Sequence, residues 1–476
     1  MSIACRLALA SAAALSLSVS RAGDAQQAAA VGGNPSRAAL VARLDSIAAE
    51  YVRQQPVAGM TIAVVRRGDT LLLEGYGERD REKHLAADAG TVYRVGSITK
   101  QFTTAAVMRL VEKGSVKLDD PITRHLPQYE QWSAVTIRQL LAHTSGIRSY
   151  TSSAAWRAQT GKDMTPAAVV AFVEKDTMDF APGSAWRYNN TGYMLLGMLL
   201  EKATGQTYAA LLERDYFKPL GMHTATYCPS KPGDASHAVG YVHEGGSWKA
   251  AEYLSMTHPY SAGALCMSVP DYLRWQSALH GGSIVSARSL ALMAGPETLT
   301  VGARKGTTTG YGMGLARGDV GGHATVQHGG SINGFSSQQY WFPADSLSIV
   351  AFVNTVGAEQ DALVNNLALA TLGMPTLPRR PAEVPLTAAA RAKYEGAYDI
   401  ALPDGRILPF RIFAEGDLLF GQAEGQGRWP LRYIGDDTFG AEFDPTLRLA
   451  LEVKDGKVVG GTLTQRGQRM NVIRRQ

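Results

Sequence analysis

Apolar side chains recur every three to four positions between residues 93 and 114, the spacing that places them on one face of a helix. The apolar positions of this stripe are Ile98, Phe102, Ala105, Ala106, Met108, Leu110 and Val111. Gly114 can adopt the left-handed conformation that ends many helices. The pattern therefore predicts a half-buried helix that ends at Gly114.

The rest of residues 36–372 alternates between helical and extended patterns. Helices are expected at 36–54, 136–142, 165–174, 192–204, 207–216, 269–279 and 359–372. Strands are expected at 60–65 and 70–76, which form a hairpin, and at 310–315, 325–327, 336–342 and 347–354. Because strands lie at both ends and helices between them, we predict an α+β fold in which helices flank one antiparallel sheet.

The pattern changes after residue 372. Residues 373–386 contain four prolines and a pair of arginines, which indicates a linker between domains. After a short helix at 387–394, short strands separated by glycine or aspartate turns are expected at 408–413, 417–420, 447–453 and 457–464. Residues 387–476 therefore form a small all-β domain, which we interpret as a lipocalin-like barrel. It contains no candidate catalytic cluster.

The first 25 residues have the pattern of a secretory signal peptide. Arg6 precedes a run of small and apolar residues at 7–19, and cleavage could follow Ala22 or Ala25. This run is too short to span a bilayer, so we expect no transmembrane segment in the mature protein. The interpretation predicts a periplasmic or secreted protein.

Composition narrows the possible partners and cofactors. The net charge of +5 is small for 476 residues, and the cations are scattered, so we expect no nucleic-acid partner. The chain has no CxxC or HExxH motif, and we expect neither a metal nor another cofactor. Removal of the signal peptide would leave Cys228 and Cys266, which either form one disulfide or stay free. The oligomeric state stays open.

Candidate chemistry begins with Ser97 and Lys100, which lie three residues apart at the start of the predicted helix. On a helix this spacing places both side chains on one face. A desolvated lysine amine stays neutral and can accept the proton of a serine hydroxyl, which makes the serine a nucleophile. The motif alone should occur about once by chance in a chain of this size. A helix-capping serine beside a solvated lysine is the alternative.

Two further segments could complete such a site. Tyr188 and Asn190 precede a strongly apolar helix; the phenol could relay a proton, and the amide could bind both the lysine and a substrate carbonyl. The alternative is a capped helix start with a packed ring. Besides these two segments, the loop 143–146 could form a wall of the pocket, although a helix-terminating turn explains His143 better.

The second of the two segments follows an apolar strand and consists of a histidine and three small residues. His328, Gly329, Gly330 and Ser331 could let a substrate lie against the strand edge, and the Ser331 N–H could join that of Ser97 in an oxyanion hole. A β-turn with an exposed histidine is the alternative.

The order and spacing of these motifs resemble the serine β-lactamase and penicillin-binding protein family over residues 40–372. The closest groups are class C β-lactamases, DD-carboxypeptidases and related esterases. The matching segments are VGSITKQFT at 95–103, LLAHTSG at 140–146, FAPGSAWRYNNTGYMLLG at 180–197, SAGAL at 261–265, YGMGL at 311–315 and HGGSINGF at 328–335. The resemblance implies an all-helical subdomain beside the sheet, with the active site between the two.

The resemblance also implies roles for the candidate residues. Ser97 would form an acyl-enzyme, and Lys100, together with Tyr188, would act as the base. Asn190 would orient the substrate, the N–H groups of Ser97 and Ser331 would hold the oxyanion, and water would release the acyl group.

One departure from the family pattern affects the expected substrate. Many family members carry Lys-Thr-Gly where this chain has His328, Gly329 and Gly330, so a fixed cation for a substrate carboxylate is missing. We therefore expect a secreted serine hydrolase that cleaves a small ester or amide, as an esterase, D-amino-acid peptidase or amidase. The alternatives are a true β-lactamase or DD-carboxypeptidase, and a penicillin-binding, receptor-like protein with negligible turnover. An α/β-hydrolase is disfavoured because the chain has no G-x-S-x-G motif.

Overall fold

The computed structural model of the 476-residue chain describes residues 36–229, 235–244, 246–295, 310–358, 360–377, 383–402, 405–416, 418–424, 428–441, 447–465 and 468–475. The predicted signal peptide at 1–25 lies outside these ranges. No helix of the described ranges is long and apolar enough to cross a membrane.

Many helices of these ranges begin at capping side chains that accept hydrogen bonds from their first backbone N–H groups. Ser36 caps the first helix through a bond from Ala39 N (3.2 Å), and Thr136 and Gln139 form a reciprocal capping box. The α-helices are α1 Arg37–Gln54, α2 Thr99–Glu112, α3 Ile137–Leu141, α4 Ala154–Arg157, α5 Pro166–Val170, α6 Asn190–Thr204, α7 Tyr208–Leu212, α8 Tyr260–Gly263, α9 Val269–His280, α10 Ala287–Ala294, α11 Gln360–Thr371 and α12 Ala388–Ala392.

The strands within the described residues form one large sheet, one barrel and two small sheets. They are β1 Gly59–Arg66, β2 Asp69–Asp80, β3 Leu85–Ala86, β4 Tyr93–Arg94, β5 Thr226–Tyr227, β6 Tyr241–Glu244, β7 Ser247–Ala250, β8 Leu265–Met267, β9 Gly310–Tyr311, β10 Ala316–Val320, β11 His323–Ile332, β12 Phe335–Phe342, β13 Leu347–Val353, β14 Gly396–Ala401, β15 Ile407–Glu415, β16 Leu418–Ala423, β17 Trp429–Tyr433, β18 Thr438–Ala441, β19 Arg448–Lys454, β20 Lys457–Gln465 and β21 Gln468–Arg474.

The large sheet joins strands from both ends of the first domain, as the sequence predicts. Its order is β3-β2-β1-β13-β12-β11-β10-β9, and the pairs within it are antiparallel. The register places Ile62 opposite Ala351 and Val64 opposite Ile349. Strands β1 and β13, which are separated by nearly 300 residues of sequence, are therefore neighbours at the centre of the sheet.

Side-chain alternation divides the core into two layers. Ile349 and Ala351 of β13 pack with α1 and α11 on one face of the sheet. Val350 and Phe352 point to the opposite face, where they join a larger apolar cluster that contains the buried apolar residues of α2 and α6. Apolar residues of α3, α5, α7 and α9 extend that cluster, so a helical layer covers the second face. The fold is α+β.

Strands β14 to β21 form a closed eight-stranded barrel, with β14 paired to β21. Alternate residues such as Tyr398 and Ile400 point into its apolar core, which is separate from the two clusters of the first domain. The all-β prediction for the C-terminal part is confirmed in its fold class.

Some predicted elements have different limits. The strand predicted at 310–315 ends at Tyr311, because a turn closed by a bond from Gly312 N to Leu315 O (2.8 Å) interrupts it. The helix predicted at 207–216 ends as an α-helix at Leu212 and continues as a π-turn to Phe217. Apolar periodicity persists through both interruptions, which is why the sequence pattern missed them.

A disulfide joins Cys228 and Cys266, the pair that the sequence left open. Cys266 lies on β8, the central strand of the small sheet β4-β8-β5, and the bond closes a separation of 38 residues. Both side chains are buried.

We expect Cys228→Ala/Cys266→Ala to lower the free energy of unfolding by at most about 4 kcal/mol, the chain-entropy value for a loop of this length. Denaturant titration of both proteins, with and without dithiothreitol, measures the change. Reductant should lower the midpoint of the wild type and leave the variant unchanged. Equal midpoints for oxidised wild type and variant would contradict a stabilising role.

Candidate active site

Ser97 lies in a tight 3₁₀ turn, Gly96–Ile98, that leads directly into α2. Gly96 has a left-handed backbone (φ 53°), and a Cβ at this position would lie 3.0 Å from the Ser331 backbone nitrogen. Glycine therefore allows the serine turn to approach β11 closely. Ser337 of β12 donates its hydroxyl to the Val95 carbonyl (2.9 Å), which holds the turn over the sheet.

The Lys100 amine is enclosed by three polar partners. Nζ lies 3.1 Å from Ser97 Oγ, 2.8 Å from Asn190 Oδ1 and 2.8 Å from the Ala262 carbonyl oxygen. The side chain is fully buried, and this desolvation holds the pKa of Lys100 well below its usual range. No carboxylate of the described residues acts on Lys100 to stabilise its protonated, charged form.

These contacts define the direction of the amine lone pair. A neutral amine has two N–H donors and one lone pair. Asn190 Oδ1 and the Ala262 carbonyl can only accept, so they use both donors. The remaining direction points to Ser97 Oγ, so a neutral Lys100 is placed to accept the serine proton.

Tyr188 lies over the same amine, with Lys100 Nζ 4.7 Å from its ring centroid. Its hydroxyl is buried and makes no hydrogen bond of standard geometry. Desolvation raises the pKa of Tyr188, and the contact with Ser97 opposes that increase in part. The phenol is therefore protonated at neutral pH and has unused donor capacity beside Ser97.

His143 holds the segment that carries Tyr188. Its carbonyl accepts a bond from Arg187 N (3.0 Å), and its Nδ1 accepts one from Asn189 N (3.1 Å). The ring packs on Tyr188 with centroids 4.4 Å apart. Burial, with Lys100 and His328 nearby, holds the pKa of His143 well below its usual range, so the ring is neutral. Because Nδ1 accepts a hydrogen bond, the proton of the neutral ring is on Nε2. The sequence predicted a turn or a pocket wall at His143. The structure shows in addition that His143 binds the backbone on both sides of Tyr188.

His328 lies within β11 rather than at its end, and it is buried, not exposed in a turn. Its Nδ1 donates to the Gly329 carbonyl (2.6 Å), and its Nε2 accepts from the Tyr311 hydroxyl (2.9 Å). Burial and the nearby Lys100 lower the pKa of His328 to about 4. The imidazole is therefore neutral near pH 7 and supplies no cation for a substrate.

Among the described strands, no neighbour pairs with the outer edge of β11 beyond Gln327. Strand β10 pairs with residues 323–327, whereas residues 328–332 pair with β12 alone among these strands. Gly330 has a packing reason to be glycine, because a Cβ there would lie 2.1 Å from the Val95 carbonyl oxygen. Gly329 would meet only the end of the Gln338 side chain, at 2.4 Å.

A cavity of about 180 Å³ opens at Ser97. Its apolar wall consists of Tyr150, Trp156, Leu254, Pro259 and Ile332. The Trp156 indole is held in place because its Nε1 donates to His258 Nδ1 (2.8 Å), while His258 Nε2 donates to the Lys162 carbonyl (2.6 Å). The cavity can therefore enclose an apolar group attached to a reacting carbonyl.

Comparison of the sequence with models of known protein families identifies the family of this chain. A model of the family described as Beta-lactamase matches residues 44–373, more than half of the chain. The chain belongs to the β-lactamase family. It is therefore a hydrolase of that family.

Two curated proteins have sequence similarity to part of this β-lactamase-family chain. The PbpX protein of Bacillus subtilis (strain 168) is 27% identical over 288 residues, 60% of this chain and 69% of PbpX. The D-aminopeptidase of Gluconobacter oxydans (strain 621H) is 28% identical over 351 residues, 72% of this chain and 64% of that protein. The chain thus spans slightly less than two thirds of the aminopeptidase.

A solved structure extends the similarity to the barrel. The octameric penicillin-binding protein homologue from Pyrococcus abyssi superposes with a TM-score of 0.67 at 26% identity. The match covers 92% of this chain and 98% of that one.

The fold brings together residues that are far apart in the sequence of this β-lactamase-family chain. Ser97, Lys100, Tyr188 and Asn190 meet at one end of α2, and Ser331 lies against Gly96. Sequence reasoning missed Ala262 and Tyr311 as members of the site, and it offered His143 only as part of a pocket wall or of a helix-terminating turn. Each lies in a quoted motif, but the contact of Ala262 is a backbone carbonyl, which has no sequence signature.

Gly330→Ala should lower stability by about 1–3 kcal/mol and displace the turn that carries Ser97, because its Cβ would overlap a backbone oxygen. Gly329→Ala is the matched control and should cost less, because a flexible side chain can move away. Thermal or denaturant unfolding of both variants measures the difference. Equal losses, or a larger loss at Gly329, would show that the contact with Val95 is not the constraint.

Proposed function

We propose that this chain hydrolyses a small ester or amide through an acyl-enzyme on Ser97, as an esterase, D-amino-acid peptidase or amidase. The observation that carries the proposal is the Lys100 amine, which has both of its donors occupied and its lone pair directed at Ser97 Oγ. A buried amine without a countercharge is neutral, and a neutral amine beside a hydroxyl is the arrangement that activates a serine.

In the proposed acylation, Lys100 accepts the Ser97 proton while Oγ attacks the substrate carbonyl. The oxyanion receives hydrogen bonds from the backbone N–H groups of Ser97 and Ser331, which the Gly96 turn brings close together. The proton then passes to the leaving group. Tyr188 supports this transfer, because its hydroxyl is protonated, buried and next to Ser97.

Asn190 has two roles in this proposal. Its Oδ1 holds the Lys100 amine (2.8 Å), and its amide nitrogen is available to a substrate carbonyl. Water then attacks the acyl-enzyme from the same side as the departed leaving group, with Lys100 as base, because the raised pKa of Tyr188 keeps its phenol protonated. His328, Gly329 and Gly330 line the open strand edge on which an extended substrate would lie.

The neutral His328 and the apolar wall of the Ser97 cavity support a substrate that carries no charge where it contacts these two features. The D-aminopeptidase relative supports a D-amino-acid derivative within that class. A true β-lactamase or DD-carboxypeptidase is the second candidate, favoured by the similarity to the Pyrococcus penicillin-binding protein homologue. A penicillin-binding, receptor-like protein would share the acylation step but not the turnover.

We also propose the organisation expected from the sequence. Residues 1–25 are a signal peptide, 36–372 the catalytic domain, 373–386 a linker and 387–476 the barrel domain. The Cys228–Cys266 disulfide supports a periplasmic or secreted location, because such bonds persist in oxidising compartments.

The first test is absorbance and intact-protein mass spectrometry with a p-nitrophenyl ester and, separately, nitrocefin. We expect fast colour from the ester, little from nitrocefin, and no activity in Ser97→Ala. Fast nitrocefin turnover would instead support the β-lactamase candidate. A persistent adduct on Ser97 without turnover would support the receptor-like candidate, and no reaction with either compound would contradict the proposal.

Lys100→Ala should slow acylation about 100- to 10,000-fold, the usual contribution of a general base. In the wild type, acylation requires the neutral amine, so its rate should fall as the pH falls through the lowered pKa of Lys100. Stopped-flow acylation across pH measures both effects. An acid limb near pH 10.5, the ordinary lysine value, would show that the pKa of Lys100 is not lowered. A near-normal rate in Lys100→Ala would show that Lys100 is not the base.

His143→Leu should lower kcat about tenfold with little change in KM, because the bond to Asn189 N that holds the Tyr188 segment is lost. His143→Asn is the matched variant, since its Oδ1 can take the place of Nδ1 as acceptor, and it should retain more activity. Steady-state kinetics of both variants with one ester measures the effect. Equal losses would indicate that ring packing, rather than the hydrogen bond, positions Tyr188.

A further inference from the structure

A second cavity, of about 400 Å³, adjoins the Ser97 cavity. Asn333 lines both cavities, and its Nδ2 donates to the Glu252 carbonyl (3.2 Å) at their boundary. Leu254 lines the Ser97 cavity, while its carbonyl accepts a hydrogen bond from Arg94 of the second cavity. The two spaces therefore meet at Asn333 and the 252–254 segment.

Arg94 is the cation of this second cavity, and it lies only three residues before Ser97. It is held by β4, which pairs with β8 at Cys266. The guanidinium lies 5.9 Å from the Phe335 ring centroid, and its hydrogen bond to Leu254 O is long, at 3.5 Å. Arginine has five N–H donors, so this contact leaves most of them for another acceptor.

The surroundings of Arg94 make it unusual among the arginines of the described residues. Burial lowers its pKa, opposed only by Tyr253, and no described carboxylate acts on it. A partly buried guanidinium without a carboxylate is costly, because desolvation is not offset by an ion pair. Glu252 lines the same cavity but is exposed and does not form an ion pair with Arg94 in the described structure.

The position of the cavity indicates which part of a substrate would reach it. Tyr188, which is proposed to support proton transfer to the leaving group, does not line the Ser97 cavity, and neither does His328. That cavity extends instead past Ser331 and Ile332 to Asn333, where the Arg94 cavity begins. A group bound at Arg94 would therefore belong to the acyl part of the substrate.

We propose that Arg94 forms a subsite that binds a carboxylate carried on the acyl part of the substrate. This inference rests on the proposed acyl-enzyme function of Ser97 and names a substrate class for it. A cation, which the third motif lacks at His328, is thus provided by Arg94 in the second cavity. The preferred substrates have an acyl chain that ends in an acidic group.

The test compares esters that differ only in the terminal group of the acyl chain. Mono-p-nitrophenyl adipate is paired with p-nitrophenyl hexanoate, and mono-p-nitrophenyl suberate with p-nitrophenyl octanoate, so a carboxylate replaces a methyl group at each length. The measured quantity is the ratio of kcat/KM for the acidic ester to kcat/KM for its neutral partner. We expect a ratio of about 10 or more for the wild type at one of the two lengths.

Arg94→Gln should lower this ratio about tenfold or more, whereas Arg94→Lys, which keeps the charge, should retain part of the preference. Arg274→Gln is the matched control, because Arg274 forms an ion pair with Asp271 (2.8 Å) away from both cavities, and it should leave the ratio unchanged. A wild-type ratio of one or less at both lengths would overturn the proposal without any variant. An equal loss of both activities in Arg94→Gln, with the ratio preserved, would also overturn it and assign Arg94 a structural role.

The outcomes separate this subsite from the proposed function. Hydrolysis of the neutral esters that depends on Ser97 but shows no preference for the acidic esters would overturn the subsite and keep the acyl-enzyme. Absence of Ser97-dependent hydrolysis of all four esters would contradict the proposed function, and the subsite with it.

Discussion

The desolvated amine of Lys100 is the interaction on which the rest of the site depends. An exposed lysine is an ammonium near pH 7 and cannot accept a proton, so the chemistry requires burial without a countercharge. The fold achieves this by enclosing Nζ with two carbonyl-type acceptors and the Ser97 hydroxyl. A carboxylate in place of either acceptor would stabilise the charged form, so the neutral character of both partners matters as much as their distance.

The structure holds each of these partners from a different direction. Asn190 is the first residue of α6, which is capped by Asn189. Ala262 belongs to a segment that leads to Leu265, whose carbonyl accepts from Val95 N (3.0 Å) and whose N–H donates to Thr99 Oγ1 (3.2 Å). The disulfide at Cys266 fastens the same segment to β5. The acceptor at Ala262 is thus fixed by the small β4-β8-β5 sheet rather than by the large one.

The sequence predicts the α+β class, the central hairpin, the main helices and the motif residues, because each has local periodicity or a distinctive residue type. It does not predict β4, β5 and β8, which have two or three residues each and are too short for alternation to appear. It also cannot show that the Val95 carbonyl leaves no room for a Cβ at residue 330, or that His143 holds the backbone beside Tyr188. Both depend on contacts between distant segments. The exposed-turn alternative for His328 is wrong for the same reason: the tertiary fold buries the ring.

The two buried imidazoles extend the requirement for a neutral site. His143 and His328 both have lowered pKa values, and Lys100 is one cause in each case, so protonation of any of the three groups would disfavour protonation of the others. Their hydrogen bonds fix the neutral tautomers: His143 Nδ1 accepts from a backbone N–H, and His328 Nδ1 donates to a backbone carbonyl. A lysine in place of His328 would add a charge to this enclosure and would oppose any proton transfer that leaves Lys100 protonated. The neutral third motif therefore suits the base as well as the substrate.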